Sequence, residues 1–378
     1  MRYYFIAGEA SGDLHAANCM KEILKLDSNA VFGFTGGELM ERVGNEKADI
    51  HIKQMAFMGF VDVLKNIASI KRNFKTAKES ILNFKPDLLI LVDYPGFNLR
   101  MAKWAWEQGI KTDYYISPTV WAWKENRVEQ IRKYVNKLFV ILPFEESFYQ
   151  KHHLKVHFIG HPLIDAIEQQ KPLLKSKNDF IKENGLSEKP IIAVLPGSRI
   201  QEIERMLTIM IEVIRDFKDY QFVIAGSSNL AKEHYKPLEK NGIKAVFNQT
   251  YELMSYADAG IIKSGTSTLE SALFKLPQVV CYKSGAVSFA IGKRLVNIKY
   301  ISLVNLIMDK PVVKELIQND MTAQNISNEL ARLLNDKPYR QTMINNYTDL
   351  VKHLGGQGAS FKLAKQLVVD ANSEKKNA

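Results

Sequence analysis

A chain of 378 residues, 46% hydrophobic and 24% charged, is long enough for about two domains with sizeable cores and has no low-complexity tract or short repeat. Cys19 and Cys281 stand far apart, which excludes a disulfide framework or a CxxC zinc site and favours a reducing compartment; the opening MRYYFIAGEASGD reaches Glu9 and Asp13 too soon for a signal-peptide core, and no apolar run approaches the ~20 residues of a spanning helix, so a cytoplasmic protein is expected. The net charge of +10 predicts a surface that attracts phosphate-rich partners, whether nucleic acid, nucleotide or anionic lipid, without choosing between them.

Arg2 to Ala7 reads as a first strand, Gly8 to Asp13 as its turn, and about Leu14 to Leu26 as a helix. The turn is not GxGxxG, and Glu9 and Asp13 would repel a pyrophosphate, so no dinucleotide cofactor is expected there. Val31 to Phe34 predicts a second strand. Ala56 to Ala77 then places Phe57, Met58, Phe60, Val61, Val63 and Leu64 ahead of Lys65, Lys71, Arg72, Lys75 and Lys78. Apolar residues with a basic flank fit a helix lying on an anionic membrane surface; a core helix with a solvated basic face fits equally well.

Leu88 to Val92 is the clearest strand of this half, and it ends at Asp93-Tyr94-Pro95-Gly96-Phe97-Asn98. A carboxylate at the carboxyl end of a buried strand, held by a Pro-Gly turn, suits a general base; an Asp that only caps the turn is the alternative. Thr112 to Ile116 runs into a loop with Trp121 and Trp123, rings that can line a pocket for sugar or lipid. Lys137 to Leu142 and Lys155 to Ile159 are later strands. His152, His153, His157 and His161 match no zinc spacing, and no metal is expected.

A polar stretch from Gln169 to Asn178 separates a first domain, 1–168, from a second, 186–346. The second holds strands at Ile191 to Leu195, Gln221 to Ala225, Lys244 to Phe247, Ala259 to Lys263 and Gln278 to Tyr282, alternating with helices. Both halves therefore read as doubly wound parallel sheets. After Leu195 comes Pro196-Gly197-Ser198-Arg199 and a helical pattern from Glu202. A helix N-terminus at a strand's carboxyl end favours an anion, Gly197 admits close backbone, and Arg199 adds a charged fork. Lys263 leads into Ser264-Gly265-Thr266-Ser267-Thr268-Leu269-Glu270 and another helix. Two small-residue turns of this kind suggest one shared diphosphate site, with ordinary capping as the alternative.

Taken in order, GEASGD (8–13), DYPGFN (93–98), SPTVWAW (117–123), GHPLID (160–165), LPGSR (195–199), SGTSTLE (264–270) and LVNLI (303–307) resemble the lipid-A-disaccharide synthase family along nearly the whole chain. Val304 departs from the Pro usual in that family. The resemblance implies an inverting glycosyltransferase of GT-B architecture, two Rossmann-like domains facing across a cleft. It implies UDP-2,3-diacylglucosamine as donor and 2,3-diacylglucosamine 1-phosphate as acceptor, giving a β-1,6-linked disaccharide phosphate and UDP. No metal or other cofactor is implied. UDP would lie on Gly197, Ser198, Arg199, Ser264, Gly265, Thr266, Glu270 and Asn305, with Glu270 on the ribose. The acceptor would meet Ser11, Asn98, Trp121 and Trp123, and Asp93, Glu9 and Asp13 would supply the catalytic carboxylates, Asp93 first.

The same resemblance implies a C-terminal helix, about Tyr347 to Val369, packed back on the first domain. It also implies peripheral association with inner-leaflet anionic lipid through Phe57, Met58, Phe60, Lys71, Arg72 and Lys75; a homodimer is left open. The alternatives are another GT-B UDP-sugar transferase or epimerase, and a nucleic-acid binder. The last lacks any nucleic-acid module, so no nucleic-acid partner is expected.

Overall fold

Tyr3 to Ala7 and Leu88 to Val92 are buried at every position, as strands covered on both faces must be. A computed structural model of the protein describes residues 1–55, 66–197, 200–227, 230, 232–235, 242–285, 289, 294 and 298–373. The chain divides into two compact units, Met1–Ile167 with Leu354–Ala378, and Glu168–His353.

The first unit runs β1 (Arg2–Ala7), α1 (Ala10–Leu26), β2 (Val31–Gly36), α2 (Glu38–Gly44), β3 (Ile50–His51), α3 (Ile67–Phe84), β4 (Leu88–Val92), α4 (Pro95–Glu107), β5 (Thr112–Tyr115), α5 (Arg127–Tyr134), β6 (Lys137–Val140), α6 (Pro143–Lys151), β7 (His157–Phe158) and α7 (Pro162–Gln170). Its sheet is parallel throughout, in the order β3-β2-β1-β4-β5-β6-β7. Side chains alternate across it. Tyr3, Phe5 and Ala7 face a core shared with α1, while Tyr4 and Ile6 face one shared with α3 and α4.

The second unit runs α8 (Lys177–Glu183), β8 (Ile191–Leu195), α9 (Ile200–Ile214), β9 (Gln221–Gly226), β10 (Lys244–Phe247), α10 (Thr250–Tyr256), β11 (Ala259–Lys263), α11 (Thr266–Leu273), β12 (Gln278–Tyr282), α12 (Leu303–Met308), β13 (Lys314–Ile317), α13 (Ala323–Asn335) and α14 (Lys337–His353). Its six strands are also parallel, ordered β10-β9-β8-β11-β12-β13. In both sheets the strand order reverses beside the first strand, between β1 and β4 and between β8 and β11. At such a reversal the two following helices leave on opposite faces and open a crevice at the strands' carboxyl ends. The doubly wound parallel architecture expected for both halves is present.

The single helix expected from Tyr347 to Val369 is instead two. Gly355, Gly356 and Gly358 all take positive φ and break it, so Tyr347 lies in α14 of the second unit. The segment that returns to the first unit is α15 (Ala359–Asn372), whose Leu363, Ala364 and Leu367 enter the core beside α1. GHPLID serves this return. The Asp165 carboxylate accepts from Gly358 N at 2.7 Å and Ser360 N at 2.8 Å, capping α15, and His161 N donates to Leu354 O at 3.0 Å.

Candidate functional site

In the first unit the reversal brings the turn after β1 beside the turn after β4. Gly8 makes this approach feasible. A Cβ there would stand 2.3 Å from the Tyr94 ring, so only hydrogen fits. The Tyr94 hydroxyl reaches on to donate to Met55 O at 2.7 Å. Asp93 and Tyr94 both adopt left-handed backbone, φ 45° and 49°, which costs of order 1–3 kcal/mol for each non-glycine residue.

The strained turn is held from several sides. Asp93 N donates to Tyr115 O at 2.9 Å, and Asp93 O accepts from Tyr114 Oη at 2.6 Å and Asn98 Nδ2 at 2.7 Å. The Asp93 carboxyl is left at the strand end. Burial, then the Glu9 charge, raise its pKa to about 6, with the Tyr94 N–H pulling the other way. Burial also raises the Glu9 carboxyl. The pair thus offers a base that holds or releases a proton near neutral pH.

Other expected residues of this unit have different duties. Asp13 is a correction: it is 3% exposed and accepts from Gly37 N at 2.8 Å, Leu39 N at 3.1 Å and Met40 N at 3.1 Å. Those are the orphan N–H groups of α2, so Asp13 is a cap supplied from 24 residues away. Asn98, expected to meet the acceptor, is fully buried with its Nδ2 donating to main-chain carbonyls. Ser11 is exposed in the first turn of α1. His15 is buried, and burial lowers its pKa to about 4, which suits a packed neutral ring.

Trp121 is edge-on to Phe144 at 5.0 Å. Trp123 stays 43% exposed, with Lys124 Nζ 4.4 Å above its ring. Glu145 is a residue the sequence reading missed. It is 1% exposed, accepts from Ile141 N and Leu142 N at 3.1 and 2.9 Å, and burial raises it to about 7. A Glu at the third position of a helix that opens with Pro143 was the available signal.

In the second unit the reversal opens a cleft of about 400 Å³, lined by Leu195, Pro196 and Gly197 of the first turn and Lys263 to Ser267 of the second. Ala225, Gly226, Ser227 and Thr250 complete it. Gly197 has φ +100°, a value that favours glycine. Gly265 and Thr266 are exposed at the N-terminus of α11, whose N–H groups and dipole favour an anion. The two turns assigned to a diphosphate therefore line one cleft. Ser198 and Arg199 lie outside the described residues. The Ser264 hydroxyl donates to Ile301 O at 2.8 Å, which leaves its oxygen free to accept. Glu270 accepts from Tyr251 Oη at 3.2 Å, and burial raises its pKa. Lys263, Ser227 and Thr250 were not singled out from sequence; a Lys ending a buried strand was the clearest sign.

Asn305, expected on the nucleotide, is engaged within the protein. It is 1% exposed, donates to Val313 O at 2.8 Å and Glu315 Oε1 at 3.0 Å, and accepts from Val313 N at 2.9 Å. With both donors and its acceptor used, the side chain fastens α12 to the chain entering β13.

Phe57, Met58 and Phe60 lie outside the described residues. Lys71, Arg72 and Lys75 are exposed on α3, opposite its buried Asn73, Ala77 and Ile81. Among the described residues no helix is long and apolar enough to cross a membrane.

Solved structures of similar fold include UDP-GlcNAc 2-epimerase from Neisseria meningitidis bound to UDP-GlcNAc, with a TM-score of 0.67 at 16% identity over 98% of this chain and 100% of that one. The calicheamicin glycosyltransferase CalG4 aligns with a TM-score of 0.59 at 14% identity, covering 98% of each chain. At such identities the likeness shows the GT-B fold alone. Sequence relatives go further. The lipid-A-disaccharide synthase of Coxiella burnetii (strain Dugway 5J108-111) is 38% identical, covering 95% of this chain and 96% of its own length. That of Geobacter sulfurreducens is 36% identical over 96% of this chain and 95% of its own. Residues 3–368 match the family described as Lipid-A-disaccharide synthetase, and with relatives this similar along their full length the chain belongs to the lipid-A-disaccharide synthase family.

Proposed function

We propose a division of labour for the glycosyl transfer this family performs in lipid A biosynthesis. The donor is UDP-2,3-diacylglucosamine and the acceptor 2,3-diacylglucosamine 1-phosphate. The UDP moiety is taken by the second unit's cleft, with Gly197, Thr266 and the N-terminus of α11 on the diphosphate, joined by Ser198, Arg199 and Gly265. Glu270 stays a candidate for the ribose hydroxyls. The first unit supplies the base and meets the acceptor, Ser11, Trp121 and Trp123 being candidates for contact with it.

The acceptor 6-hydroxyl oxygen attacks the donor's anomeric carbon as the bond from that carbon to the UDP oxygen breaks. UDP leaves with the electron pair, and Asp93 takes the hydroxyl proton. One in-line displacement of this kind inverts the anomeric centre. The observation that carries the reading is the Asp93 carboxyl, held at a strand's carboxyl end and raised to about 6 by burial beside Glu9. Asp13 is set aside because its oxygens are engaged by α2.

Asp93→Asn keeps the shape and removes the basicity, so turnover should fall by ~10²–10⁴-fold while UDP affinity is unchanged. Mass-spectrometric assay of UDP and disaccharide, with calorimetry for UDP, makes the measurement. Near-normal turnover in Asp93→Asn, with Glu9→Gln inactive, would move the base to Glu9.

A further inference from the structure

The Asp93 turn adopts a conformation the backbone does not favour, so something must hold it. Asn98, in the first turn of α4, is placed for this. Its Nδ2 donates to Asp93 O at 2.7 Å and Val92 O at 3.1 Å, with a longer contact to Ile6 O at 3.4 Å. One amide thus touches the carboxyl-end main chain of two neighbouring strands, β1 and β4. Asn98 is fully buried, and its Oδ1 has no hydrogen-bond partner among the described residues, so the side chain acts as a donor only. An ordinary helix-capping Asn would accept from backbone N–H groups, the reverse of what is seen. The Tyr114 hydroxyl, from β5, places a second donor on the same Asp93 carbonyl.

We propose that Asn98 is a positioning residue for the transfer reaction: gripping the Asp93 carbonyl with Tyr114, it holds the strained turn so that the half-buried Asp93 carboxyl stays at the strand end beside Glu9. The proposal rests on the reading of Asp93 as the base. Asn98 acts only through the main chain and does not meet substrate. With the grip removed, Asp93 and Tyr94 relax toward ordinary backbone angles and the carboxyl moves away from the reacting hydroxyl. Its exposure to water then rises, and the environment that raises its pKa is diluted.

The test is steady-state kinetics of the full chain with both acylated glucosamine substrates, from acid to alkaline pH, on Asn98→Ala, Tyr114→Phe and Asp93→Asn. Asn98→Ala should lower kcat by about 10²-fold, the scale expected for a displaced catalytic group, with KM for both substrates little changed. The acid limb of its pH profile should move to lower pH. Tyr114→Phe, which removes one hydroxyl, should shift both quantities in the same direction and by less. It decides the matter if Asn98→Ala does not fold. Loss of folded protein alone would scale the rate and leave the acid limb in place, and that result overturns the proposal. So do wild-type kcat and acid limb in Asn98→Ala and Tyr114→Phe beside an inactive Asp93→Asn. A fully active Asp93→Asn overturns the base and its positioning together.

Discussion

Asp93 and Glu9 stand in turns 84 residues apart in sequence, and the Glu9 charge makes Asp93 harder to ionise. A base works deprotonated, so turnover should fall about tenfold per pH unit as pH drops below Asp93's raised value of about 6. Glu9→Gln removes the facing charge and should move that acid limb to lower pH, with the burial contribution remaining. A pH profile of kcat/KM for the variant checks this, and an unmoved limb would mean that Glu9 does not act on the base electrostatically. The place of Asp93 was legible because a strand's carboxyl end is marked by its own apolar run. The duties of Asp13, Asn98 and Asn305 were not. Asp13 meets α2 from 24 residues away, and the closer contacts of Asn98 and Asn305, to Asp93 O and to Val313, depend on turns whose path no local pattern gives.

Among elements, α15 shows how a surface helix is fastened. Asp113 in β5 is fully buried, and its Oδ1 accepts from Asn136 Nδ2 at 3.0 Å and Lys137 N at 3.1 Å. Asp370 in α15 pairs through Oδ1 with Lys137 Nζ, and Lys111 Nζ donates to Asp370 O at 2.6 Å. No N–H or O–H of the described residues reaches the other oxygens, Asp113 Oδ2 and Asp370 Oδ2. The Asp370 carboxyl acts on Asp113 and helps to keep it protonated. Burial first, then the neighbouring Asp370, raise Asp113 against the Asn136 amide.

The native state therefore keeps a proton that the unfolded chain releases at about pH 4. The contribution of Asp113 to stability is complete below that pH and is lost as pH rises through its raised native value. Asp113→Asn replaces the proton by an N–H that never dissociates. Its thermal stability should exceed that of wild type at alkaline pH by on the order of 1–3 kcal/mol, and the gap should close in acid. Parallel pH curves for the two proteins would contradict a protonated Asp113 in the native state. Most strands were legible as apolar runs; β3, of two residues, and β13, with one buried side chain, carried too little pattern.

For the whole molecule, the two parallel sheets were readable from strand-helix alternation. Membrane engagement is the prediction that belongs here. Lys71, Arg72 and Lys75 project from α3 into solvent, and each basic group near an anionic leaflet contributes about 1 kcal/mol, screened by salt. Changing all three to Ser should weaken co-sedimentation with anionic vesicles by on the order of 10²-fold at low salt and leave zwitterionic vesicles unaffected. Equal binding of both proteins to the anionic vesicles would make this face of α3 merely solvated.

The return of α15 also sets a timetable for synthesis. The first unit's core takes Leu363, Ala364 and Leu367 from sequence that follows the second unit, and Asp165 waits for Gly358 and Ser360. A ribosome making 5–20 residues per second needs roughly 10–40 s to pass through Glu168–His353 before those residues exist. During that interval the apolar face of α1, with Ala16, Cys19, Met20 and Ile23, has no α15 to cover it. The half of the enzyme made first is thus the half completed last. A nascent chain stalled before Leu354 presents to chaperones and proteases a first unit that lacks one of its walls.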